Sequence, residues 1–150
     1  MKFIFISIIT LIAFAIVVLW VSNKRVPSNL GVKNGMFSPC PNKPNCVSSQ
    51  SRNSQQYVDP FDVKDVENPI KRIKSIVLEI PKTKIVSEEN DYLHVTFSSK
   101  TFSFIDDAEF YYDRDNELVQ VRSAARAGYS DLGVNRKRIE WIRAQLLNKQ

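Results

Sequence analysis

The chain has 150 residues, 43% of them hydrophobic, and 21 Lys and Arg against 16 Asp and Glu give a net charge of +5. Setting aside Lys2, Lys24 and Arg25, which flank an apolar N-terminal stretch, leaves 18 basic against 16 acidic residues. No Lys/Arg run carries interleaved aromatics, so the composition argues against a nucleic-acid partner, and the length holds one globular domain beyond the N-terminus.

Residues 3–22 read FIFISIITLIAFAIVVLWVS, without a charge. As a helix they would span about 30 Å, the thickness of a bilayer core. Ile and Val are poor helix formers in water, but in lipid the backbone must satisfy its own hydrogen bonds, so helix wins. Trp20 and the Lys24-Arg25 pair suit a membrane interface. A cleaved signal peptide is the competing reading. It would have a shorter apolar core and a small-x-small site, and cleavage after Ser22 would put Trp20 where a small residue belongs. The sequence therefore predicts a transmembrane anchor over 1–25, inserted through residues 3–22.

Residues 26–56 lack a hydrophobic period and are rich in Asn, Ser, Pro and Gln, which predicts a linker arm. The arm holds both cysteines, Cys40 and Cys46, among Pro39, Pro41 and Pro44. Two cysteines so close form a sensible disulfide in an oxidising compartment; free thiols are the alternative. The positive-inside rule, with Lys24, Arg25 and Lys33 after the span, points to a cytoplasmic domain, whereas the cysteine pair points to export. We side with an extracytoplasmic, periplasmic-side domain.

The domain expected over 57–150 opens with a helix at Asn68-Pro69, Asn as N-cap and Pro at the first helical position. Ile70, Ile73, Val77 and Ile80 recur at helical spacing before Pro81. Strands follow at 83–88, 91–98, 101–112 and 117–126, joined by turns short enough to link only antiparallel neighbours. A closing helix over 132–148 carries Leu132, Ile139, Ile142 and Leu146 on one stripe, beside Trp141 and Leu147. This predicts an α+β domain: a four-stranded antiparallel meander with two helices on one face.

Tight two-residue turns would pair Ser98 with Thr101 and Asp113 with Asn116. Phe97 then faces Phe102, Val95 faces Phe104, Phe110 faces Val119 and Ala108 faces Val121. The expected buried face is Leu93, Val95, Phe97, Phe102, Phe104, Ala108, Phe110, Val119, Val121 and Ala125. The opposite face aligns Tyr92, Asp107 and Arg122, with His94, Glu109 and Gln120 near them. Asp106 falls on the helix side, between Leu93 and Ser123, where a carboxylate needs a partner.

Four stretches carry a family resemblance: Cys40-Pro-x-x-Pro-Asn-Cys-Val-Ser-Ser, Phe102-x-Phe-x-Asp-Asp-x-Glu-Phe110, Val121-Arg-Ser-Ala-Ala-Arg126 and Gly128-x-Ser-Asp-Leu-Gly-Val-Asn-Arg-x-Arg-Ile-Glu140. They span 38–144, and in them the chain resembles the DUF1499 family, a domain of unknown function in bacteria and plastids. Members often carry a histidine ahead of the stretch aligned with Val58-Asp59-Pro60-Phe61; here Gln55-Gln56-Tyr57 stands instead. The resemblance implies a fold but no activity.

The catalytic candidates are Asp106, Asp107 and Arg122. Opposed charges on neighbouring strands are more often a sheet-stabilising pair, and a core-facing Asp106 near Arg126 more often a satisfied ion pair. Arg126, Ser130, Asn135 and Arg136 are binding candidates: cations and amides beside a helix N-terminus that Ser130 or Asp131 can cap, suited to carboxylate or phosphate. Metal is not expected, because zinc would need two ligands beyond the cysteines and His94 is the only histidine. No cofactor loop and no nucleophile elbow can be written down. The favoured function is a membrane-tethered binding or assembly domain of the cell envelope, its partner an anionic ligand or an envelope protein. The alternative is an enzyme on an anionic or lipid-like envelope substrate, with Asp106 or Asp107 as acid/base and Arg122 or Arg126 as anion clamp.

Overall fold

A computed structural model describes residues 2–99 and 103–148. The first helix, α1 (Lys2–Lys24), is one continuous rod. From Ile4 to Lys24 its mean hydropathy is 3.0 and its apolar window is unburied, so it is long and apolar enough to cross a membrane. Side chains from Ile4 to Val21 face outward on all sides, as a helix solvated by lipid would present them.

The remainder is α+β. A small hairpin, β1 (Val32–Lys33) with β2 (Met36–Phe37), precedes the main sheet. The main strands are β3 (Cys46–Ser48), β4 (Phe61–Asp62), β5 (Thr83–Glu88), β6 (Tyr92–Ser98), β7 (Ile105–Asp113) and β8 (Leu118–Ala125). They form one antiparallel sheet in the order β3-β8-β7-β6-β5, with β4 also pairing β8. The sheet is thus six-stranded rather than four-stranded. A β8 left at the edge would expose a row of unpaired amides and carbonyls; β4 covers it at Leu118 and Val119 and β3 at Arg122, Ser123 and Ala124. Two- and three-residue strands carry no readable period, which is why the arm and the stretch after it did not read as sheet.

Helix α2 (Pro69–Leu78) starts where Asn68-Pro69 predicts. Asn68 adopts a left-handed backbone (φ 52°) and its side chain binds Glu67 rather than capping the helix. Helix α3 (Val134–Asn148) is capped by Asp131, whose carboxylate accepts from the Gly133 and Asn135 amides. Both helices lie on one face of the sheet, over a core of Ile73, Ile76, Val77, Leu93, Val95, Phe110, Val121, Ile139 and Ile142. Leu132, expected on the buried stripe, is 86% exposed and sits in the turn before α3 with φ 55°.

Both registers differ from the tight-turn expectation. Phe97 pairs Asp106 and Val95 pairs Ala108, four residues away from the expected register. The connection is a longer loop in which the Ser99 amide binds the Phe104 carbonyl and Ser99 Oγ accepts from the Phe104 amide. Phe104 is therefore a loop residue, 41% exposed, while Thr101 and Phe102 lie outside the described residues. In the next pair Phe110 faces Val121 and Ala108 faces Ser123, a shift of two, because four residues separate Asp113 from its partner Leu118. Shifts by even numbers preserve the faces and change the neighbours. Leu93, Val95, Phe97, Ala108, Phe110, Val119 and Val121 stay on the apolar face for that reason, whereas Phe104 leaves it and Ala125 is only half-buried.

Candidate functional site

Alternation along β6, β7 and β8 turns Leu93, Val95, Phe97, Asp106, Ala108, Phe110, Val121 and Ser123 toward the helices. Tyr92, His94, Thr96, Asp107, Glu109, Arg122 and Ala124 go to the other face. That second face is not solvated. Glu109 is fully buried, Asp107 and His94 are 1% and 3% exposed, and Arg122 is 4% exposed. The cover is the arm. The Gly31 amide donates to Glu109 Oε1 at 2.6 Å. Gln50 fastens the β1–β2 hairpin, accepting from the Phe37 amide and donating to the Gly35 carbonyl. Gln56 holds the Pro41 and Lys43 carbonyls. The sulfurs of Cys40 and Cys46 stand at disulfide distance, 1.99 Å, joining the arm to β3.

The observed registers align His94, Glu109 and Arg122 across three strands, where the tight turns had aligned Tyr92, Asp107 and Arg122. Glu109 accepts from Tyr92 Oη at 2.8 Å, from Arg122 Nη1 at 3.1 Å and from Gly31. Asp107 accepts a two-pronged contact from Arg126, at 2.7 and 2.8 Å, and a bond from His94 Nε2 at 2.8 Å. Burial alone would raise the Asp107 carboxyl, but hydrogen bonds and charge from Arg126 and His94 outweigh it and hold it below its ordinary value. The ionised carboxylate only accepts, so Nε2 carries the proton. Burial and the Glu109 carboxylate push the Tyr92 phenol far above its ordinary value, which keeps it a donor.

Between arm and sheet lies a pocket of about 310 Å³, roofed by Pro27, Pro39 and Pro41 and floored by Asp107, Arg122 and Arg126. Arg122 spends Nη1 on Glu109, while its buried Nε has no hydrogen-bond partner among the described residues. A buried donor left unmade costs free energy comparable to a lost hydrogen bond, and because the Arg122 side chain lines the pocket, a small turn of its guanidinium toward an acceptor entering there would recover it.

The helix side treats its carboxylate differently. Asp106 pairs with Arg138 at 2.8 Å, not with Arg126. Arg138 also donates to Asn135 Oδ1 and lies over the Phe97 ring at 4.3 Å. Asn135 is buried, takes a bond from Ser123 Oγ and donates to Asp131. Burial raises the Asp106 carboxyl, with Arg138 offsetting part of the rise. This network closes on itself.

The sequence-derived candidates therefore divide. Asp107, Arg122 and Arg126 meet in the arm-covered pocket; Asp106 and Asn135 meet on the opposite side of the sheet. Ser130 Oγ accepts from the Leu132 amide at the surface. Arg136 ties down the carbonyls of Gln55 and Tyr57. Gly31, Asn45, Glu109 and Arg138 matter more than the sequence suggested. One signal could have flagged the arm: residues 26–56 hold three cations and no acid, too little charge for a solvated linker.

A protein-family model described as a protein of unknown function, DUF1499, matches residues 36–146. The chain belongs to the DUF1499 family. No curated protein and no solved structure matches it. The DUF1499 span begins inside the arm, so the cysteine pair, β3 and the pocket roof from Pro39 onward belong to the family domain along with the floor. α1 lies outside it.

Proposed function

We propose that this DUF1499 protein is a membrane-anchored, extracytoplasmic module that binds an anionic ligand in the pocket beneath the arm and does not transform it. The observation that carries the reading is the buried Arg122 Nε without a partner among the described residues, in a side chain that lines the pocket together with Arg126. The membrane part is supported by the unburied apolar length of α1. The cysteine pair supports the oxidising side, since disulfides persist there.

Binding is favoured over catalysis by the state of the acids. Asp107 is held ionised by Arg126 and His94, and Glu109 is locked by three donors. A general acid needs a proton to give near working pH, and a general base needs a free lone pair facing substrate. Neither carboxylate offers that.

The test is phosphorus NMR of glycerol phosphate titrated into the full chain in maltoside micelles. The expected result is line broadening that disappears in Arg122→Lys, which keeps a cation for Glu109 and removes Nε, and no new phosphorus signal over days. Broadening equal in the variant would overturn the site. Release of inorganic phosphate would overturn the non-catalytic reading in favour of the acid/base and anion-clamp alternative.

A further inference from the structure

A second pocket, of about 390 Å³, adjoins the first and shares Pro41, Ala125 and Arg126 with it. Its walls include Leu19 and Ser22 from the last turns of α1, together with Lys43 and Asn45. Asn45 is 3% exposed; its Nδ2 donates to the Gly128 carbonyl, and its Oδ1 is buried without a partner among the described residues. Arg122 Nε and Asn45 Oδ1 are the two buried side-chain atoms so left among the described residues. One is a donor and the other an acceptor, and the side chains that carry them line adjoining pockets.

The end of α1 is fixed relative to these pockets. Asn23 is 3% exposed, donates to the Ser103 carbonyl at 2.8 Å and accepts from the Ile105 amide at 2.6 Å. A helix that reads as membrane-spanning thus delivers its last lipid-facing residues directly to the mouth of an anion-binding cleft. A bare phosphate would need the first pocket alone. The second pocket adds a hydrogen-bond acceptor, a cation in Lys43 and an apolar wall in Leu19.

We propose that the ligand is an anionic phospholipid whose headgroup carries a hydroxyl: phosphate on Arg122 and Arg126, hydroxyl donating to Asn45 Oδ1, acyl chains along the Leu19 side of α1. This rests on the anion-binding reading above and adds the source of the anion. A choline headgroup has no N–H or O–H for Asn45 and brings a cation against Lys43. A free phosphate ester lacks the chains.

The three terms separate by calorimetry on the full chain in maltoside micelles with three probes: dihexanoyl phosphatidylglycerol, dihexanoyl phosphatidylcholine and glycerol phosphate. Phosphatidylglycerol is expected to bind about tenfold tighter than either of the others, the cost of one unmade buried hydrogen bond or of lost apolar contact. Ser22→Trp, which fills the second pocket alone, is expected to weaken phosphatidylglycerol about tenfold and, with inorganic phosphate as the control, to leave bare-phosphate binding in the first pocket unchanged. Equal affinity for glycerol phosphate and phosphatidylglycerol overturns the lipid assignment and leaves the anion site standing. Equal affinity for the two lipids overturns the role of Asn45. Binding of none of the probes overturns both readings.

Discussion

On its helix side the sheet buries Leu93, Val95, Phe97, Phe110 and Val121; on its arm side the same strands bury His94, Thr96, Asp107, Glu109 and Arg122. The first face stabilises the fold through apolar area removed from water, roughly 25 cal/mol per Å². The second must first overcome the desolvation of several charges, and a buried ion pair seldom yields net stability over apolar residues of the same shape. Among the described residues the helix side carries one buried charged pair, Asp106 with Arg138, inside a closed network. The arm side carries two and leaves a donor open. Folding alone explains the first face better than the second. The excess polarity of the arm side supports the site proposed there.

The largest expected effect comes from isosteric substitution on each face. Glu109→Gln keeps the volume but leaves the Arg122 cation buried without a counter-ion, and should cost about 3 kcal/mol. Leu93→Met on the helix side should cost under about 1.5 kcal/mol. Urea unfolding of the full chain in micelles measures both. If Glu109→Gln cost no more than Leu93→Met, the arm side would be hydrated rather than sealed.

Next comes the cysteine pair, which separates the faces by mechanism rather than by chemistry. Closing a loop with a sequence separation of 6 should contribute about 2 kcal/mol by the loop-entropy argument, less if the prolines already stiffen it. Replacing Cys40 and Cys46 together with Ser should remove that amount. It should also speed hydrogen exchange at the Gly31 amide, which rests on Glu109, by more than at the Val95 amide in the central sheet, which feels only the loss of global stability. Equal acceleration at both amides would mean that the staple supports the whole domain and not the arm.

These faces were unequally legible in the sequence. The helix side could be read because Leu93, Val95, Phe110 and Val121 alternate strictly, and alternation survives a register error of two or four. The neighbours on the polar side could not be read for the same reason: moving β8 by two residues replaces Asp107 with Glu109 opposite Arg122. Turn length fixed that shift, and Glu117 at φ 53°, closing the four-residue turn, is not a residue type that announces a left-handed position. Pairing Asp106 with Arg138 needed the docking angle of α3, a tertiary fact. The cover over Glu109 hangs on the amide of Gly31, and a backbone group has no sequence signature. Arg122 and Arg126 were found as residue types suited to anions, whereas the pocket that gives them meaning is made by an arm without periodicity.

The smallest expected effect is a difference of sign. The Asp107 carboxyl is held below its ordinary value of 3.8, so folding favours its ionised form. That stability is present above 3.8 and is lost as pH falls through the lower folded value. The Asp106 carboxyl is raised above 3.8, so folding favours its protonated form. Its contribution is full below 3.8 and fades as pH climbs through the raised folded value. Asp107→Asn should therefore flatten the acid loss of stability below 3.8, and Asp106→Asn should remove a decline just above it. Each changes the slope by at most about 1.4 kcal/mol per pH unit, the limit for one proton. Urea midpoints from about pH 2 to about pH 6 give the slopes directly, free of any constant loss each substitution brings. Slopes that change in the same sense would mean that the two aspartates share one environment, and the contrast between a face closed for folding and a face held open for a ligand would fail at its most local point.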